Sequence, residues 1–337
     1  MKSTPVAVIG AGAWGTTLAM ILNRRGLAVR LWEFFPEYAR VLDLTRENPK
    51  FLPGVQIAAD IEITSDLNRA VEGCRNLVMV VPSQRMRSVA HRLAAGGYQP
   101  EVVVSASKGI EQDSLLRMSE VLVAEFGEKI ETCALSGPSH AEEVSRNLPS
   151  TLVAASRNKE VAQRVQDWFM GPSVRVYTSE DIVGVELGGS LKNVIALASG
   201  VVDGLGLGDN AKAALITRGL AEIIRLGKAL GARTETFSGL SGLGDLVVTC
   251  MSQHSRNRRV GEELGRGKKL KEILSNMEMV AEGVDTSRSA FMLAKRLGVE
   301  MPITEQMNRV LFEDVRPADA LSELMLRARK EERDDAP

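Results

Sequence analysis

The sequence predicts an α/β protein in which a doubly wound, mainly parallel sheet is followed by an all-helical domain. Up to about residue 180, short β-branched runs alternate with amphipathic stretches, the grammar of βαβ units. Beyond that point the β-branched runs nearly stop, and long stretches rich in Ala, Leu, Ile, Lys and Glu take over. Size agrees: 337 residues, at about 150 per domain, leave room for two domains and a core that needs no disulfide or metal staple.

Charge and composition narrow the class further. Forty-two Lys plus Arg stand against 43 Asp plus Glu, with 44% hydrophobic and 25% charged residues. This is an ordinary globular balance and speaks against a disordered chain or a nucleic-acid-binding surface. The opening MKSTPVAVIG reaches a strand-like run by Val6 without a signal-like core, and no later run matches a membrane span of about 18 apolar residues. The expectation is a soluble, cytoplasmic protein without membrane insertion. Cys74, Cys133 and Cys250 are too widely spaced for a disulfide framework or a CxxC pair. His91, His140 and His254 are equally scattered, so no metal site is expected.

The elements follow in order. Strands are expected at Val6–Ile9, Ala28–Trp32, Ile61–Thr64, Leu77–Val81, Val102–Ser105 and Cys133–Leu135. The run Leu77-Val78-Met79-Val80-Val81 is apolar throughout rather than alternating, which suits a strand buried on both faces of a parallel sheet. Thr151–Ala155 and Val174–Tyr177 extend the sheet at an edge. From Glu180 to about Gly204 one long helix is expected, although Gly184, Gly188, Gly189 and Gly200 each cost about 1 kcal/mol relative to Ala. Close approach of another backbone explains such glycines, and a helix break is the alternative. Glycine-rich turns fall at GLGLGDN (204–210) and SGLSGLGD (238–245). The domains are read as 1–180 and 181–330, with 331–337 a charged, frayed tail.

The strand Val6–Ile9 runs directly into Gly10-Ala11-Gly12-Ala13-Trp14-Gly15 and then into a helical stretch. That is GxGxxG in the context that gives it meaning, a Rossmann-like dinucleotide-binding turn. Gly10 permits the tight turn, Gly12 lets pyrophosphate approach the backbone, Gly15 lets helix pack on strand, and the helix N-terminus offers free N–H donors. The next strand ends at Glu33, where a carboxylate can accept hydrogen bonds from the adenosine ribose hydroxyls unless it points to solvent. A 2′-phosphate there would meet a negative charge, and Phe34 and Phe35 supply no compensating cation, so NAD is the preferred cofactor and NADP the possible one.

Two lysines stand out. Lys108, in VVVSASKGIE, sits at the carboxyl end of a predicted strand, where doubly wound folds bind ligands. Lys192 interrupts the apolar, small-residue run ELGGSLKNVIALASG. With these two in view, the chain resembles the soluble, bacterial-type NAD(P)-dependent glycerol-3-phosphate dehydrogenases. GAGAWGTTLA, SASKGIE, SGPSHAEEV, ELGGSLKNVIALASG, SGLGDLVVTC, SQHSRNRRVG and VAEGV occur in that family's order and spacing.

The resemblance implies reversible hydride transfer between a nicotinamide cofactor and the C2 carbon that interconverts dihydroxyacetone phosphate and sn-glycerol 3-phosphate, supplying glycerophospholipid synthesis. Hydride arriving at a ketone leaves charge on oxygen, so a proton donor is needed. Lys192 is similar to that donor, with Lys108 a second cation lowering its pKa and Asp245 the family carboxylate orienting lysine and substrate. Asn193 and Thr249 resemble polar residues of the same pocket. Ser255, Arg256 and Asn257 offer the substrate phosphate a hydroxyl, a bidentate guanidinium and an amide. Gly137 and Ser139 are carried over as substrate contacts, Ala13, Trp14 and Ala141 as cofactor contacts, and Val280 and Glu282, with Arg256, to the nicotinamide side. His140 is read as orienting or incidental. A homodimer is expected. The alternatives are another β-hydroxyacid or ketopantoate-type reductase, which the phosphate-binding set disfavours, and a non-catalytic NAD sensor, which the intact Lys192, Lys108 and Asp245 disfavour.

Overall fold

The computed structural model describes residues 5–329 and 331–332, so most of the expected tail at 331–337 lies outside the described residues. Among the described residues ten strands form: β1 (Val6–Ile9), β2 (Val29–Trp32), β3 (Glu47–Asn48), β4 (Leu52–Gln56), β5 (Glu62–Thr64), β6 (Asn76–Met79), β7 (Val102–Ser105), β8 (Glu131–Ser136), β9 (Ser150–Ala155) and β10 (Val174–Ser179). Eight of them make one sheet in the order β10-β9-β8-β7-β6-β1-β2-β5. Every pairing in it is parallel except β8 with β9.

Helices α1 (Ala13–Arg24), α2 (Pro36–Thr45), α3 (Leu67–Val71), α4 (Met86–Ala95), α5 (Met118–Phe126), α6 (Ala141–Val144) and α7 (Lys159–Phe169) alternate with these strands. Both faces of the sheet are covered. On one, Val6 and Val8 of β1 pack with Leu18 of α1 and Val165 and Phe169 of α7; on the other, Ala7 and Ile9 pack with Ala70 of α3, Met86 of α4 and Leu122 of α5. This two-sided burial explains why the strands read as unbroken apolar runs.

Two local features depart from expectation. The fourth strand ends at Met79, not Val81: the Val80 amide still donates to the Ile9 carbonyl at 2.9 Å, and Val80 and Val81 then pass close against Gly10. The segment ENPKFLPGVQ, which was not among the expected strands, forms the small antiparallel pair β3–β4. It buries Asn48, whose Nδ2 donates to the Ala11 carbonyl and to Thr16 Oγ1, each at 2.8 Å, beneath the glycine turn.

Beyond β10 the named elements are helical: α8 (Ile182–Gly204), α9 (Gly208–Ala229), α10 (Thr234–Phe237), α11 (Asp245–Met251), α12 (Arg256–Gly265), α13 (Leu270–Ser275), α14 (Glu282–Leu297), α15 (Pro302–Phe312) and α16 (Pro317–Met325). The expected long helix is α8, unbroken, and its glycines are contact points. A Cβ on Gly200 would lie 1.9 Å from the Arg258 carbonyl oxygen, and one on Gly261 of α12 would lie 1.9 Å from that of Leu197. Gly204 and Gly265 face each other in the same way, so the backbones of α8 and α12 meet directly. Among the described residues α8 alone is long and apolar enough to cross a membrane, and it is almost wholly buried inside the protein.

Candidate active site

The glycine turn fits a dinucleotide. Gly10, at φ +115°, adopts a conformation that L side chains avoid, and a Cβ there would stand 2.7 Å from the Val80 carbonyl oxygen. A Cβ on Gly15 would stand 1.8 Å from the Gly10 oxygen, so helix and strand could not close together. At Gly12, by contrast, nothing lies within 4 Å, leaving open space in front of the first amides of α1, which carries no side-chain cap. Anions bind at such a terminus. Ala13 and Trp14 line the turn half-buried, and Trp14 Nε1 is sealed from solvent without a partner.

Glu33, just past β2, does not point to solvent: it is 6% exposed, and Oε1 accepts the Phe35 amide at 3.0 Å. Burial raises its pKa, against the pull of the Phe35 and Phe34 amides and Lys50. Its neighbours Phe34 and Phe35 are exposed and pack edge to face, with ring centroids 4.9 Å apart.

One buried carboxylate joins the two singled-out lysines. Asp245, the first residue of α11, is 1% exposed. It accepts Lys192 Nζ on Oδ1 at 2.5 Å and Lys108 Nζ on Oδ2 at 2.7 Å. Lys192 also donates to Thr249 Oγ1 at 2.6 Å, one helical turn after Asp245. The glycines of α8 make this convergence possible. Lacking a Cβ, Gly188 admits the Ser241 carbonyl of the π-turn Leu240–Gly244 that delivers Asp245, and Gly189 admits Ser136 Oγ and the Lys108 stem.

The electrostatics follow from this packing. Burial pulls the Lys192 pKa down to about 8; Asp245 opposes that pull and Lys108 adds to it. Burial also disfavours an ionised Asp245, but Lys108 and Lys192 outweigh it and hold the carboxyl below its usual range.

The remaining expected residues fall into neighbouring groups. Gly137, at φ +130°, sits where a Cβ would meet the Thr151 carbonyl at 2.8 Å. Its own carbonyl accepts Lys108 Nζ at 3.2 Å and the Ser139 hydroxyl at 2.8 Å. Ala141 opens α6 and is buried. Asn193 Oδ1 accepts Asn257 Nδ2 at 2.9 Å, and Asn257 Oδ1 accepts the Gly283 amide at 2.9 Å, tying α8, α12 and α14 together.

The expected three-donor fork divides accordingly. Ser255 Oγ caps α12 by accepting the Arg258 amide at 3.2 Å, Asn257 is taken up by the cross-link, and exposed Arg256 uses only Nη1, on the carbonyl of exposed Val280 at 2.9 Å. Glu282 accepts the Ser83 amide at 3.1 Å and the Ser83 hydroxyl, so α14 meets the turn after β6. Ser83 was not singled out in the sequence, although its position just past the fourth predicted strand was the available signal. Among the described residues no group of three or more His, Cys, Asp and Glu could hold a metal ion.

A glycine cradle for pyrophosphate together with a buried lysine–carboxylate–lysine network defines an NAD(P)-dependent oxidoreductase working between a carbonyl and an alcohol. Residues 5–162 match the N-terminal, and residues 181–322 the C-terminal, part of the NAD-dependent glycerol-3-phosphate dehydrogenases. The chain belongs to that family. It is 53% identical over 337 residues to a glycerol-3-phosphate dehydrogenase [NAD(P)+] from Pelotomaculum thermopropionicum, covering 99% of this chain and 96% of the relative. A Geobacter sulfurreducens protein of the same name is 53% identical over 333 residues, covering 98% and 99%. The crystal structure of glycerol-3-phosphate dehydrogenase from Coxiella burnetii superposes with a TM-score of 0.93 at 39% identity, covering 97% of this chain and 100% of that one.

Proposed function

We propose that the enzyme reversibly reduces dihydroxyacetone phosphate to sn-glycerol 3-phosphate, preferring NAD and accepting NADP, with Lys192 as the proton donor and acceptor. One observation carries the mechanism: Lys192 is buried against Asp245 and Thr249, with its pKa brought to about 8. A lysine poised there is protonated enough to act as acid near neutrality and deprotonates readily enough to act as base.

A nicotinamide cofactor held at this site would supply the hydride that C2 gains in reduction and would accept it in oxidation. Lys192 Nζ donates its proton to the oxygen that becomes the C2 hydroxyl, and Asp245 keeps the ammonium aimed there. Lys108 adds positive charge at the same oxygen, where alkoxide character develops. Arg256, whose remaining guanidinium donors are unused, anchors the phosphate, with Ser255 and Asn257 beside it. Gly10, Gly12, Ala13, Trp14, Gly15 and Ala141 hold the dinucleotide, Glu33 takes the adenosine ribose, and Val280 and Glu282 flank the nicotinamide. In this reading residues 1–180 form the dinucleotide unit and 181–330 the substrate unit of a cytoplasmic homodimer that feeds glycerophospholipid synthesis. A single-chain mass by light scattering would count against the dimer.

NADH oxidation on addition of dihydroxyacetone phosphate, followed by absorbance, tests the core of this. Lys192→Ala is expected to lower kcat by about a thousandfold, within the range for losing a general acid. Arg256→Ala is expected to raise KM for dihydroxyacetone phosphate by about tenfold or more, as befits losing a charge-assisted contact. Wild-type turnover in Lys192→Ala would remove the lysine from its role.

A further inference from the structure

Buried polar side-chain atoms in native proteins nearly always have partners, so the exceptions mark places where something else binds. Two of the six exceptions among the described residues, Ser136 Oγ and His140 Nε2, flank the turn Gly137-Pro138-Ser139 whose first carbonyl receives Lys108. His140 stands between the two halves of the site. From the helical side the His254 ring approaches it, with centroids 5.8 Å apart, and His254 immediately precedes Ser255 and Arg256. It is also close enough to Lys192 of α8 and Asp245 of α11 to feel both charges. Ser139, the alternative donor on the turn, has already turned its hydroxyl onto the Gly137 carbonyl.

We propose that His140 Nε2 donates a hydrogen bond to the phosphate of the substrate, completing the anion site begun by Arg256 and raising the preference for a phosphorylated over an unphosphorylated ketone. This rests on the reading that Arg256 anchors that phosphate. Burial and Lys192 lower the basicity of the ring, with Asp245, Glu142 and Glu143 opposing, so the ring meets the ligand as a neutral donor. Lys192 and Thr249 cluster on Asp245, where the carbonyl is reduced in the proposed reaction, which leaves the Nε2 donor for the other end of the substrate.

His140→Phe keeps a ring and removes the donor. In the NADH-loaded enzyme, the inhibition constant for inorganic phosphate against dihydroxyacetone phosphate is expected to rise by about tenfold, a typical loss for a hydrogen bond to a charged group. KM for dihydroxyacetone phosphate should rise in parallel, with the smaller effect on kcat, and kcat/KM for unphosphorylated dihydroxyacetone should fall much less. An unchanged phosphate constant overturns the proposal, as does an equal loss on the unphosphorylated ketone, which would put the ring at the reacting carbon.

Arg256→Ala run alongside separates the two ideas. If it leaves phosphate inhibition untouched, the anchor reading fails; if it weakens inhibition while His140→Phe does not, only His140 is misassigned. The wild-type enzyme gives an independent reading. With three histidines in the chain, ¹⁵N-labelled ring signals are few, and phosphate should shift that of His140 and raise its pKa. No shift at saturating phosphate would sink the proposal even if the variant failed to fold.

Discussion

At the scale of single residues, the site turns on a carboxylate shared by two ammonium groups. Asp245 resists by charge the fall in the Lys192 pKa that burial and Lys108 drive. Asp245→Asn removes that resistance. Reduction needs protonated Lys192 and is lost as pH rises through its pKa of about 8. In the variant this alkaline limb should move down by about one unit or more, the usual size of losing an opposite charge at contact. The limb for alcohol oxidation, which needs the neutral amine, should move the same way, as kcat/KM measured against pH in both directions would show. Glu33 carries a second expectation. The wild type should use NADH at least as well as NADPH, and Glu33→Ser should shift the kcat/KM ratio toward NADPH by about tenfold through removal of one repelling charge. A clear NADPH preference in the wild type would refute that argument. Lys192 stood out because a charge in an apolar run demands a reason, whereas Asp245 was reached only through the resemblance carried by GLGD. His140 and Ser83 did not stand out, since a histidine or serine in a turn reads as ordinary until its burial is known.

At the scale of elements, α8 shows what a sequence discloses and withholds. Its length was legible, and so was the reason for its glycines. The partner was not, because SRNRR drew attention as a basic phosphate-binding stretch rather than as a packing helix, and the roles of Gly261 and Gly265 emerge only once α12 lies against α8. Gly200→Ala would drive a methyl group to 1.9 Å from the Arg258 carbonyl, so the helices must separate. A loss of about 2–3 kcal/mol is expected, at the upper end for overpacking, measured by denaturant unfolding. Gly171→Ala is the control. Its Cβ would find only Arg25 Cδ, at 3.9 Å, and the change should stay within about 0.5 kcal/mol. The β3–β4 pair escaped notice because Pro53 and Gly54 are turn signals, and β9 was expected as an edge extension without its antiparallel direction, which composition does not encode.

At the scale of the whole molecule, the sheet-bearing half and the helical half are joined by buried polar ties as well as by packing. Glu186 of α8 accepts the Ser119 amide at 2.8 Å and the Ser119 hydroxyl at 2.6 Å and pairs with Arg117, all at the start of α5. Glu186→Gln leaves Arg117 buried with Glu120 as its remaining ion-pair partner, and a cost of about 3–5 kcal/mol is expected for breaking such a pair. Thermal unfolding would reveal it, and unchanged stability would show that the tie is dispensable. Since Glu186 and Lys192 share one helix, kcat should fall with it. The small β3–β4 hairpin has a consequence of another kind. By locking Asn48 onto Ala11 and Thr16, it freezes the glycine turn when the chain folds, before any nucleotide arrives. The enzyme should therefore receive its coenzyme on a preorganised surface, with little ordering entropy left to lose. Asn48→Ala would transfer that loss to the association step, slackening the grip on NADH through the Ala11 and Thr16 contacts it removes.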